Sequence, residues 1–192
     1  MKKIILIALA ATSLLLFSTP SFAFSLSVGV PVGATFTAPA PAGNTKSEAD
    51  GSSGYFLGVQ LPFGLGLGMD SHKTKVKDTK QKIATSMYNL YYQLPVPVVN
   101  LILGLGTGNS NLDCDDVYEG DGGSNGVVAC KDYFKKGAAT QWYTSIGIPL
   151  IPFFDIHLSY RSITNKNIED KSDGEKNDVS STMTGLGLAF NF

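Results

Sequence analysis

Residues 179–192 read Val-Ser-Ser-Thr-Met-Thr-Gly-Leu-Gly-Leu-Ala-Phe-Asn-Phe, and this stretch decides the fold. From Thr182 onward it alternates without a slip. Thr182, Thr184, Leu186, Leu188, Phe190 and Phe192 share one face, while Ser181, Met183, Gly185, Gly187, Ala189 and Asn191 share the other. Successive side chains on a strand point to opposite faces, so period two predicts a strand with one apolar side and one small or polar side. Such a strand fits a membrane barrel with its apolar side outward, the last strand of a soluble sandwich, or a soluble lipocalin-like barrel with its apolar side inward.

The first residues bear on that choice. Met1-Lys2-Lys3 is a short basic start, Ile4 to Phe17 is an apolar core, and Ser21-Phe22-Ala23 is a small-x-small ending. The pattern predicts a secretory signal peptide over residues 1–23, with the barrel domain over 24–192. The apolar core is too short for a spanning helix, and no later run is long enough for one. The chain carries a net charge of −1, and two of its lysines fall in the leader, so nothing points to nucleic acid as a partner. Its 21 glycines and 10% aromatic content suit a β-rich chain with many turns.

The same alternation recurs upstream and predicts eight strands: 24–37, about 55–61, 65–76, 82–94, 98–111, 137–150, 153–165 and 179–192. The connections alternate in kind. Three are tight and built on Pro62, on Pro95 with Pro97, and on Pro152; the others, 38–53, 77–81, 112–136 and 166–178, are polar and mostly long. Short turns at one end and long loops at the other match a transmembrane barrel, and strands of about ten residues match its span. The polar faces favour Gly, Ser, Thr, Asn and Gln over Lys and Glu, which suits a narrow lumen better than a wet surface. Tyr55, Tyr88, Tyr92, Trp142, Phe154, Tyr160, Phe190 and Phe192 lie on the apolar face, as interface girdles do. Pro31 falls mid-strand, where it forfeits a ladder hydrogen bond and predicts a bulge.

The mature chain therefore resembles the small eight-stranded outer-membrane barrels of Gram-negative bacteria, the group of the OmpA membrane domain, OmpX and OmpW. The resemblance is one of architecture, without a diagnostic motif. It implies an all-β, antiparallel up-and-down barrel in the outer membrane, monomeric, with both termini periplasmic. Its implied partners are outer-membrane lipid, lipopolysaccharide and the barrel-assembly machinery. It also implies that Leu186, Leu188, Phe190 and Phe192 form a C-terminal assembly signal.

Candidate chemistry is sparse. Asp155, His157 and Arg161 share an inward face and are read as one polar network bracing the lumen, while Asp70 is placed at the rim. His157-x-Ser159 resembles the pair of an outer-membrane lipid A deacylase family, but the inward face puts it out of reach of lipid. The asparagine-rich stretch of that family is also missing, since Tyr160-Arg161 stands there. Inward Phe56, Met87, Tyr91, Ile102, Tyr143 and Met183 are expected to lie over inward glycines and leave no continuous channel.

Cys114 and Cys130, in an exported chain, are read as one disulfide, worth about 3 kcal/mol to its loop. Asp113, Asp115, Asp116, Glu119 and Asp121 are read as a solvated acidic loop. A Ca²⁺ site is the rival reading, although Val117 and Tyr118 break the EF-hand pattern. No cofactor and no catalytic or metal site is expected. The expected role is structural, or surface interaction of an adhesin or receptor kind through the loops. A narrow pore is the alternative, and a lipid A-modifying enzyme using His157 and Ser159 comes last.

Overall fold

A computed structural model describes residues 24–36, 49–77, 81–94, 96, 98–114, 134–151, 153–169, 171, 174 and 176–192. The expected signal peptide lies outside the described residues. Eight strands follow in order: β1 (Ser25–Phe36), β2 (Ala49–Gln60), β3 (Leu65–Val76), β4 (Gln81–Leu94), β5 (Asn100–Cys114), β6 (Gly137–Ile151), β7 (Phe154–Glu169) and β8 (Lys176–Asn191). Each pairs antiparallel with its neighbours, and β8 closes on β1 from Ser25 opposite Asn191 to Phe36 opposite Ser181. The result is a closed up-and-down barrel. Closure removes the two exposed edges that an open sheet would leave, which is what a lipid environment demands of a backbone.

Burial settles which way the alternation faces. Leu186, Leu188 and Phe190 are outward and exposed, whereas Met183 and Ala189 are buried. Among charged groups, Asp70, Asp155 and Arg161 are all inside. A soluble barrel would reverse this arrangement, so the lipocalin-like alternative is excluded. The wall that remains is a continuous apolar surface far larger than soluble monomers expose.

Pro31 has the predicted effect. The β1–β8 register slips between Pro31 and Gly33, so one extra residue bulges out where proline has no N–H to offer. Four strands extend three or more residues past their predicted bounds. β2 begins at Ala49 rather than near Tyr55, because Ser52 and Ser53 pair with Thr74 and Lys73. β5 continues to Cys114 against Gln81. β7 and β8 pair out to Glu169 and Lys176, past a register slip where Asn167 takes φ 56°. These extensions are polar and lack alternation. A partner strand already in place supplies their hydrogen bonds, which no local pattern records.

Candidate functional site

The candidate site is the lumen. Its glycines and its large side chains occur as pairs. Gly66 sits opposite Tyr91, Gly104 opposite Tyr143, and Gly147 opposite His157. A Cβ on any of these three glycines would overlap the ring it faces. Each ring therefore lies flat over a glycine and fills the lumen from one wall. Met87, Ile163, Met183, Ala139 and Phe56 form a buried apolar cluster nearer the loop end.

Across the middle runs a charged brace. Arg161 of β7 and Asp70 of β3 come from opposite walls and form an ion pair, both almost wholly buried. Gln141 of β6 donates to the same Asp70 carboxylate and to Asn89 of β4, so four strands are joined. The Arg161 guanidinium is clamped between the Phe56 ring, 3.8 Å from its centroid, and the Tyr143 ring, 4.4 Å away. Aromatic faces attract a desolvated cation, which offsets part of its cost of burial. Among the described residues, Arg161 Nε, Gln141 Oε1 and His72 Nδ1 are buried without a hydrogen-bond partner.

A second polar cluster lies towards the turns. The Asp155 carboxylate accepts from Asn100 Nδ2 at 2.6 Å and Asn191 Nδ2 at 3.0 Å. His157 Nε2 lies 3.8 Å from Asp155, and its Nδ1 lies 3.2 Å from Ser145 Oγ. Between brace and cluster is a cavity of about 60 Å³, lined by Ser27, Gln93, Asp155, His157 and Arg161 among others. It has room for a few water molecules.

The predicted network is thus split. Asp155 and His157 do meet, but Arg161 is bound elsewhere, to Asp70. Asp70 itself, expected at the rim, is 1% exposed and central. The pair joins residues 91 apart in sequence, and only barrel closure brings those walls together. His72 is also buried, with its ring edge-on to Phe56 at 6.3 Å. Its inward parity with Asp70 and Gly68 was the available signal.

Ser159 points inward and donates to the Gly185 carbonyl at 3.4 Å, so the His-x-Ser pair is not mutually bonded. Asp113 pairs with Lys73 at 2.7 Å. The Cys114 side chain and Cys130 lie outside the described residues, as do Asp115, Asp116, Glu119 and Asp121. Leu186, Leu188, Phe190 and Phe192 all face out, with Phe190 edge-on to Phe154 at 5.3 Å and the Phe192 amide bonded to the Phe24 carbonyl at 2.9 Å.

No protein-family model matches the sequence, and no curated protein does either. Solved structures do match in fold. Neisserial surface protein A superposes with a TM-score of 0.60 at 14% identity, covering 90% of this chain and 98% of that one. The outer membrane protein W of E. coli gives 0.52 at 11%, covering 90% and 100%. The N-terminal β-barrel domain of Pseudomonas aeruginosa OprF gives 0.50 at 12%, covering 88% and 97%. This chain has the closed eight-stranded architecture of the small outer-membrane β-barrels.

Proposed function

We propose that this is a small integral outer-membrane protein that works through the loops at its open end, as a structural or surface-interaction barrel. The observation that carries the reading is the brace of Arg161 and Asp70 between Phe56 and Tyr143, with the Met87–Ile163–Met183 cluster beyond it. A lumen filled in this way leaves little for a solute to pass through. His157 and Ser159 both face that filled interior and away from lipid, which speaks against a lipid-modifying enzyme. The outward wall supplies the membrane partner, lipid and lipopolysaccharide, and Leu186 to Phe192 supply the strand offered to the assembly machinery. A disulfide between Cys114 and Cys130 would shorten the longest loop.

Two measurements test this together. Loop residues such as Lys171, changed to Cys, are expected to react with an impermeant maleimide on intact cells. Purified, refolded protein in planar bilayers is expected to show no stable stepwise conductance. Steady unitary currents would overturn the reading and favour a narrow pore. Unlabelled loops on intact cells would remove the surface role.

A further inference from the structure

The end of the barrel that carries the three tight turns has an unusual composition. Residues 51–69, 83–112 and 137–154, which hold the three turns, contain no Lys, Arg, Asp or Glu, and Asp155, just beyond, is buried in the lumen. Turns in water are ordinarily built from Gly, Pro, Asn, Asp and Ser, and beside their prolines and Gly64 these turns carry large apolar residues at the tips. Here they are apolar and bare: Phe63 is 81% exposed, Val98 86% and Phe153 59%, with Val96 and Ile151 beside them.

Backbone geometry adds an independent observation. Phe63 and Val98 both take φ 79°, in the left-handed region that favours glycine. A bulky or β-branched residue is a true outlier there. Glycine or asparagine would relax either turn, yet both positions carry exposed apolar side chains.

The height of the apolar wall points to what covers these tips. On β2 and the residue after it the outward run is Tyr55, Leu57, Val59, Leu61, and above it come Ser53 and Gly51. On β8 and the residue after it the run is Leu186 to Phe192, and above it come Thr184 and Thr182. Roughly six residue steps at ~3.3 Å, tilted by about 40°, give ~15 Å of height, against an apolar band of ~25 Å in such barrels. The runs on β1 and β6, Phe24 to Val32 and Trp142 to Leu150, span eight steps or ~20 Å, so the strand wall still falls short of the band, and the turn tips continue it without a polar break.

We propose that the turn end of this barrel is submerged in its lipid leaflet, with Phe63, Val98 and Phe153 as lipid anchors rather than as tips projecting into water. This rests on the membrane reading above, and the test separates the two. The sole tryptophan, Trp142, is replaced by Phe, and single tryptophans are introduced as Phe63→Trp, Phe153→Trp, Leu103→Trp on the wall and Lys171→Trp at the loop end. Each variant is reconstituted into phosphatidylcholine vesicles with brominated acyl chains, and heat-modifiable gel mobility confirms closure. The expected result is quenching at Phe63→Trp and Phe153→Trp comparable to that at Leu103→Trp, with blue-shifted emission protected from acrylamide. Lys171→Trp should show the reverse. If the wall tryptophan is quenched by lipid while both tips are quenched by acrylamide, the proposal is overturned and the crown stands free for a protein. If Leu103→Trp itself escapes the brominated chains, the membrane reading falls with it.

Discussion

At the turn end the chain reverses through Pro62-Phe63-Gly64 and its two counterparts, and the only charged side chain of the adjoining strand ends is Asp155, inside the lumen. At the loop end, charge is outside and paired: Lys73 with Asp113 at 2.7 Å, Lys75 with Asp50 at 2.8 Å, and Lys135 with Glu169. The same eight strands thus finish in two different solvents. Exposed ion pairs are screened by solvent and contribute little, so the loop end is held in place by the strands below it. The turn end has no such pairs, and its stability rests on the apolar wall and on the filled lumen.

That contrast ranks the effects of substitution. The largest is expected on the wall: Leu188→Arg places a charge among lipid-facing residues at a cost of roughly 2–4 kcal/mol. Assembly into the heat-modifiable form should fail, while Lys171→Ala at the loop end should assemble normally. Normal membrane assembly of Leu188→Arg would show that this face does not meet lipid. Cell fractionation must accompany the gel, because a folding failure alone does not report location.

Next is the brace. Removing one partner of a buried pair leaves an uncompensated charge and costs about 3–5 kcal/mol, whereas removing both together is often close to neutral. Urea unfolding in detergent micelles should therefore find Asp70→Ala far less stable than wild type, and Asp70→Leu combined with Arg161→Met much less affected. A loss in the double variant equal to the sum of the losses in Asp70→Leu alone and Arg161→Met alone would mean that the two residues are not energetically coupled.

A smaller effect, about 1–3 kcal/mol, is expected from overpacking at Gly66→Ala, whose new Cβ would collide with the Tyr91 ring. Pairing it with Tyr91→Leu should recover part of the loss in the same unfolding assay. If Gly66→Ala costs as much in the Tyr91→Leu background as in the wild type, the ring does not lie where the glycine demands.

The smallest effect is one of pH, and it belongs to the loop end. The hydrogen bond from Lys75, and then its charge, holds the Asp50 carboxyl below its ordinary range; Lys135 does the same to Glu169. For a depressed carboxyl, the pairing contributes above the ordinary carboxylate range and is lost as pH falls through the lowered value. Hydrogen exchange at Ser52, Lys75 and Glu169 should lose protection in strong acid, with wall amides such as Leu188 unchanged. Uniform loss along the strands would place the acid-sensitive groups in the lumen instead.

The alternation of Thr182 to Phe192 and its seven upstream counterparts was enough for the strand count, the pairing order and the Pro31 bulge. These are local: a period of two and a missing N–H belong to a few consecutive residues. The inward direction of Asp155, His157 and Arg161 was legible for the same reason. Their partners were not. Arg161 meets Asp70, and not Asp155, because closure sets β7 against β3 across the lumen, and tilt decides which residues stand level. The polar extensions of β2, β5, β7 and β8 escaped the sequence as well, since a neighbouring strand's unpaired amides, rather than any hydrophobic pattern, draw them into the sheet. Periodicity along the chain is written in the sequence, whereas contact across the barrel exists only once β1 has found β8.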